Sequence, residues 1–137
     1  MGRAATVGLD SLIDDLAAFA ALPDSVIDGM LTAEADVIEP EQHRTAESMG
    51  VYRTGVTEGS IKRTKIKVGK GGRYLTIYPQ GKNKDGNPNS EVAFVNEFGK
   101  EGQPARPFID TANKNKGEEA VGAAETVYNA FLDSKNL

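Results

Sequence analysis

The chain has 137 residues, no cysteine and 39% hydrophobic residues, which suits one domain with a modest core. The lack of cysteine excludes disulfides, thiolate catalysis and cysteine-ligated zinc, and no apolar run approaches the roughly 18–20 residues that cross a bilayer. Net charge is only −4, but residues 1–50 hold 2 basic against 10 acidic side chains, residues 51–84 hold 9 against Glu58 alone, and residues 85–137 hold 5 against 9. A basic middle third between acidic flanks fits two readings. One is a surface that compensates itself; the other is a bipolar subunit whose basic part meets an acidic face of a neighbour, or nucleic acid.

Met1–Gly8 has no periodic pattern and is expected to be flexible. Leu9, Leu12, Ile13, Leu16, Phe19 and Ala20 then recur at helical spacing, with Asp10 or Ser11 as cap. Asp14 and Asp15 interrupt that stripe, so it does not read as a secretory signal. Pro23 separates it from a second helix with Val26, Ile27, Met30, Leu31, Val37 and Ile38 on one stripe and Asp24 or Ser25 as N-cap. Pro40 is expected to end or kink that helix near Glu39. A further helical piece, Glu41–Met49, should stop at Gly50.

The pattern then changes. Ser60–Val68 interleaves Ile61, Thr64, Ile66 and Val68 with Lys62, Arg63, Lys65 and Lys67; Gly69-Lys70-Gly71-Gly72 forms a turn, and Arg73–Tyr78 a second strand. The pair predicts an antiparallel hairpin with Leu75 and Ile77 on a core side and Tyr74, Thr76 and Tyr78 on the other. Lys62, Arg63, Lys65, Lys67 and Arg73 are its candidate interface residues. Such lysines can neutralise phosphates while Tyr74 and Tyr78 stack on bases; the same alternation also protects exposed strands from edge pairing. Pro79–Ser90 is almost wholly turn-forming and predicts a mobile loop, with Lys82, Lys84 and Asp85 as docking candidates.

From Glu91 to Ala112 the sequence describes a corner. Phe94 and Phe98 are four apart and Val92 and Val95 three apart, which stacks them in a short helix. Gly99 is placed to end it in the left-handed conformation. Pro104 and Pro107 stiffen the connection, and Pro107 suits the first position of the last helix. Phe94, Phe98 and Phe108 are expected to pack this corner. Glu97 and Arg106 either brace it as an internal pair or serve as interface charges. The last helix carries Val121, Ala124, Val127, Tyr128, Phe131 and Leu132 on a stripe, with Gly117 a weak point near its start. The expected fold is α+β in a single domain, 1–137: N-terminal helices, a small antiparallel sheet built on the hairpin, and a C-terminal helix packed on the sheet.

Chemistry-bearing sets are sparse. His43 is the only histidine, so one chain cannot build a multi-histidine site. Asp14-Asp15 and Glu118-Glu119 are adjacent on helices and point about 100° apart, so neither pair converges on one atom. Gly69-Lys70-Gly71-Gly72 lacks the spacing and the strand-to-helix setting of a phosphate loop. No catalytic, metal or cofactor residues are assigned.

GLDSLIDDLAAF, YRTGVTEGSIK, YLTIYP and, above all, VAFVNEFG followed by PARPFIDTA resemble the head–tail joining (tail-completion or neck) proteins of long-tailed phages and prophages. Thr54-Gly55 with Ser60-Ile61 matches the family's strand entry. Ala93, Val95, Glu97, Phe98 and Gly99 match its apolar turn, with Lys100 in place of the usual threonine. Ala105, Arg106, Pro107, Phe108 and Ile109 match its last-helix opening. The likeness runs in matching order from about Gly8 to Ala112, and a proline usual before Thr54 is missing. It implies a non-enzymatic virion protein that assembles in the host cytoplasm into a ring, six-fold in the usual case. Its expected partners are copies of itself, the connector or head-completion protein, and the tail tube or tail terminator. DNA would pass through the lumen, with the basic hairpin (Lys62, Arg63, Lys65, Lys67 and Arg73) on an inter-subunit face or facing that lumen, and no membrane is involved.

Overall fold

A computed structural model describes residues 22–51 and 59–135. The Met1–Gly8 segment, the helix expected over Leu9–Ala20 and the Thr54-Gly55 step lie outside the described residues.

Helix α1 (Asp24–Ser48) starts behind Pro23, whose carbonyl accepts the N–H groups of Val26 and Ile27 at 3.0 and 3.2 Å. Neither expected cap residue makes a side-chain cap bond. Asp24 instead lies in the first turn, where a negative charge suits the helix dipole. Pro40 does not end the helix, contrary to expectation: α1 continues unbroken to Ser48. Pro40 removes one backbone hydrogen bond, but the stretch beyond it is fixed by tertiary partners. Gln42 donates Nε2 to the Ile77 carbonyl at 3.2 Å, Thr45 donates Oγ1 to the Phe108 carbonyl at 2.7 Å, and Ala46 is fully buried. The expected stop at Gly50 is found. Gly50 has φ +70° and donates to Glu47 O, while Val51 donates to Ala46 O, which together form a Schellman cap.

The expected hairpin is present as two short ladders. Strand β1 (Ile61–Arg63) pairs with β4 (Ile77–Pro79), and β2 (Lys67–Gly69) pairs with β3 (Gly72–Tyr74), both antiparallel. Between the ladders three residues, 64–66, oppose two, 75–76, so the first strand carries a one-residue bulge. Thr64 fastens the bulge: its N–H donates to Thr76 O at 2.8 Å and its hydroxyl oxygen accepts Thr76 N–H at 3.0 Å. The bulge separates a base, where Ile61 faces Pro79 and both are buried, from an exposed tip. Leu75 and Ile77, expected on the core side, are half-buried, and of the β-branched residues Ile61, Thr64, Ile66 and Val68 only Ile61 is buried.

Beyond β4, the expected loop is a closed turn. Asn83 Oδ1 accepts the N–H groups of Asp85 and Asn87, and Lys82 bridges to Pro88. Helix α2 (Asn89–Phe98) follows, and then helix α3 (Phe108–Ser134), which passes through Gly117 without a break. Helices α1 and α3 run antiparallel, as the contacts Thr45–Phe108, Glu41–Asn115 and Gly29–Val127 require. Small residues make the seam: Ala35, Ala112, Ala120 and Ala124 are buried, and a Cβ on Gly29 would sit 3.3 Å from Val127 Cγ1. The large residues expected to line α3 are not the buried ones; Val121 is exposed, and Val127, Tyr128, Phe131 and Leu132 are half-buried. Ala46, Val51, Ile61, Ala93 and Phe108 form the main core cluster, which joins α1, the base of the hairpin, α2 and α3. The class is α+β, with the C-terminal helix packed on α1 and on the sheet.

Candidate functional site

Helix α2 turns its sequence pattern inside out. Its buried residues are Asn89, Ala93 and Asn96, spaced at four and three, while Phe94 and Phe98 are 64% and 68% exposed. Of the three phenylalanines expected to pack the corner, only Phe108 does so, at 0% exposure. The inward side of α2 is held partly by hydrogen bonds and partly by the small side chain of Ala93 in the core cluster. Asn89 donates Nδ2 to Gln80 O at 2.8 Å and its N–H to Gly81 O at 2.9 Å; Asn96 donates Nδ2 to Val92 O of its own helix at 2.9 Å, and its main-chain carbonyl accepts Arg106 N–H. The two rings left outside lie 4.8 Å apart between centroids, tilted by 49°.

The corner beneath those rings is tightly determined. Pro107 (φ −79°, ψ 69°) is the centre of an inverse γ-turn closed by Phe108 N–H donating to Arg106 O at 2.8 Å. It is therefore the residue before α3 rather than its first helical position, and it has no side-chain oxygen to cap the helix. Glu97 supplies the cap from α2: its two carboxylate oxygens accept the N–H groups of Ile109 and Asp110, each at 2.9 Å. Arg106 reaches the other way and donates Nη1 to Gly50 O at 3.3 Å, just past the end of α1. Glu97 and Arg106 thus brace the corner separately, each on backbone, rather than as a pair.

Gly99 closes the turn. With φ +76° and ψ 176° it occupies a region essentially confined to glycine, not the left-handed helical conformation expected. Between α2 and α3 a groove of about 560 Å³ opens beside the exposed rings, walled by Tyr78, Pro79, Phe94, Phe98 and Ile109, with Glu97 and Asp110 as its charged residues. Asp110 holds Lys114 at 2.9 Å in an exposed pair, which raises the lysine's pKa.

The basic hairpin divides into two sets. Arg63 binds Asp36 at 2.7 Å and Glu39 at 3.3 Å, and Arg73 binds Asp28 with Nε and, at 2.8 Å, with Nη2. These contacts clamp the hairpin to acidic α1, and the Arg73 bonds hold the Asp28 carboxyl below its ordinary pKa. Part of the charge segregation in the sequence is therefore compensated within the chain. Lys62, Lys65, Lys67 and Lys70 are exposed, and no salt bridge among the described residues engages them. At the tip Val68 is 73% and Tyr74 45% exposed. Lys82, Lys84 and Asp85 are exposed on the Asn83 turn.

Sequence reasoning missed the buried polar residues, and among the described residues Glu41 is the charged one of these. Glu41 is buried on α1, accepts both Nε and Nη2 of Arg44 at 2.7 Å, and accepts Asn115 Nδ2 at 3.1 Å. The Arg44 bonds, aided by Asn115, lower its pKa to about 2 against the opposing effect of burial. The spacing of Glu41 and Arg44 by three was a usable signal; Asn115 was not. His43 is half-buried, Glu119 pairs with Lys116 at 3.1 Å, and among the described residues no cluster of acids and histidine is able to hold a metal. Comparison with protein families, with curated proteins and with solved structures finds no match to this chain.

Proposed function

We propose that the protein is a structural component of a tailed-phage neck, a ring-forming subunit that joins the head connector to the tail tube around the DNA channel. The resemblance of its motifs, in order, to head–tail joining proteins supplies the identity of the assembly. The observation that carries an assembly role is the exposed Phe94–Phe98 pair beside the groove, mounted on a corner fixed by Glu97, Gly99 and Arg106. Exposed apolar surface of this kind marks an interaction site, and its rigid mount lowers the ordering cost of binding. Deleting the gene from a phage or prophage that encodes the chain should leave DNA-filled heads and finished tails unjoined in electron micrographs. Intact infectious particles made without it would overturn the proposal.

A second reading, a small nucleic-acid-binding module, is favoured by one observation: Lys62, Lys65, Lys67 and Lys70 are exposed along the hairpin that carries exposed Tyr74, opposite Lys67, and no salt bridge among the described residues engages them. It predicts duplex or single-strand binding whose affinity falls steeply with salt. Salt-independent binding, or none, removes it.

A further inference from the structure

We propose that the groove between α2 and α3 receives the hairpin tip of a second copy of this chain. A phenylalanine carries about 150–250 Å² of side-chain surface, and two adjacent exposed rings beside an apolar groove form more than the scattered apolar exposure of an ordinary surface. The other place in the described residues where two large apolar side chains stand exposed close together is the hairpin tip, with Val68 and Tyr74. These two occupy opposite faces of the tip ladder, since Val68 lies opposite Arg73 and Tyr74 opposite Lys67, so the tip presents apolar surface on both sides.

Charge selects the same partner. The groove is lined by Glu97 and Asp110 and by no basic residue. The hairpin carries Lys65, Lys67 and Lys70 at its tip, and no acid occurs between Gly59 and Lys84. The Asp110–Lys114 pair is exposed on both sides, so a tip lysine can replace Lys114 at little cost.

Geometry makes the contact intermolecular. Tyr78 and Pro79, at the base of the hairpin, wall the groove, whereas the Lys70-Gly71 turn lies roughly 25 Å away along the strand at about 3.3 Å per residue. The clamps from Arg63 and Arg73 to α1 keep the hairpin from folding back on its own groove. Unlike patches at separate ends of one subunit join head to tail, and such contacts close into rings or extend into filaments according to the rotation between copies. The proposal deepens the neck reading by naming the contact, and it rests on that reading only for the ring.

The absence of native cysteine permits a direct test. Val68→Cys and Ser90→Cys place single thiols at the tip and at the groove wall, both on exposed residues. Mixed and treated with a short bismaleimide, the two variants should give a tip-to-groove dimer, identified by peptide mass, well above the self-linked yield of either alone. Adding Phe94→Ala and Phe98→Ala to the Ser90→Cys chain should lower that yield about tenfold or more. Both rings are exposed, so the fold should survive, and far-UV circular dichroism checks this. Overturning results are no tip-to-groove product at any concentration, dominant self-linking of Ser90→Cys, or a yield indifferent to loss of the rings. A tip-to-groove product in a closed two-copy exchange, sized by sedimentation, would keep this contact and sink the ring.

Discussion

Replacing Gly99 by alanine tests whether the corner is as tightly determined as its geometry requires. Gly99 holds φ +76° and ψ 176°, and an added Cβ would lie 2.8 Å from Ala105 N and 2.9 Å from Gln103 O. The conformation alone costs about 1–3 kcal/mol for a residue with a side chain. Gln103 O is also the acceptor of Lys100 N–H at 3.0 Å, and Gln103 N–H returns a bond to Lys100 O at 2.9 Å. Relief of the contact must therefore strain that bridge, at about 1 kcal/mol for one lost bond. The expected total is about 2–4 kcal/mol, a sizeable share of the roughly 5–15 kcal/mol that holds a domain of this kind together. In a urea titration this shifts the midpoint by about 1–2 M. Gly102→Ala is the control: its φ is also positive, +78°, but no atom lies within 4 Å of the new Cβ, so only a conformational cost of about 1–2 kcal/mol is expected. Equal losses in the two variants would refute the close backbone approach at Gly99.

Phe108→Ala should cost about 3–5 kcal/mol, since the ring is fully buried in the core cluster; a loss below about 1 kcal/mol in the same titration would show that the site refills. Glu97→Ala removes both acceptors at the start of α3 and should cost about 1–2 kcal/mol, with Glu97→Gln recovering part of it. No change in either variant would mean the helix end is satisfied by water. The Glu41 carboxyl has its pKa lowered from 4.5 to about 2 in the folded chain, so its contribution is complete above about pH 4.5 and disappears as pH falls toward 2. Because Arg44 is 60% exposed, the contribution is set at about 1 kcal/mol. Glu41→Gln should flatten the stability profile across that window, and superimposable profiles would remove the claim.

Local rules were legible wherever one residue type satisfied one local need. Gly50 ends α1, Lys70-Gly71 turns the hairpin, and the α+β class follows from helical and alternating stretches in order. Pro40 misled because a proline within a helix costs a bounded amount, and the partners of Gln42, Thr45 and Ala46 outweigh it. The braces Glu97 and Arg106 were identified by residue, but their partners, two N–H groups of α3 and the Gly50 carbonyl, were not.

What the sequence by itself determined was the order of elements, the places where the chain must turn, and the separation of acidic and basic stretches. Tertiary structure decided which sides face inward. Spacing makes Phe94 and Phe98 neighbours on α2, but whether that side is core depends on what lies opposite the helix, and here the side that faces the core carries Asn89, bonded to the Gln80 carbonyl, with Ala93 and Asn96, and the rings stay outside. Arg63 stands 27 and 24 residues from Asp36 and Glu39, and Arg73 stands 45 from Asp28, so only folding decided which charges are spent within the chain and which lysines remain on the surface.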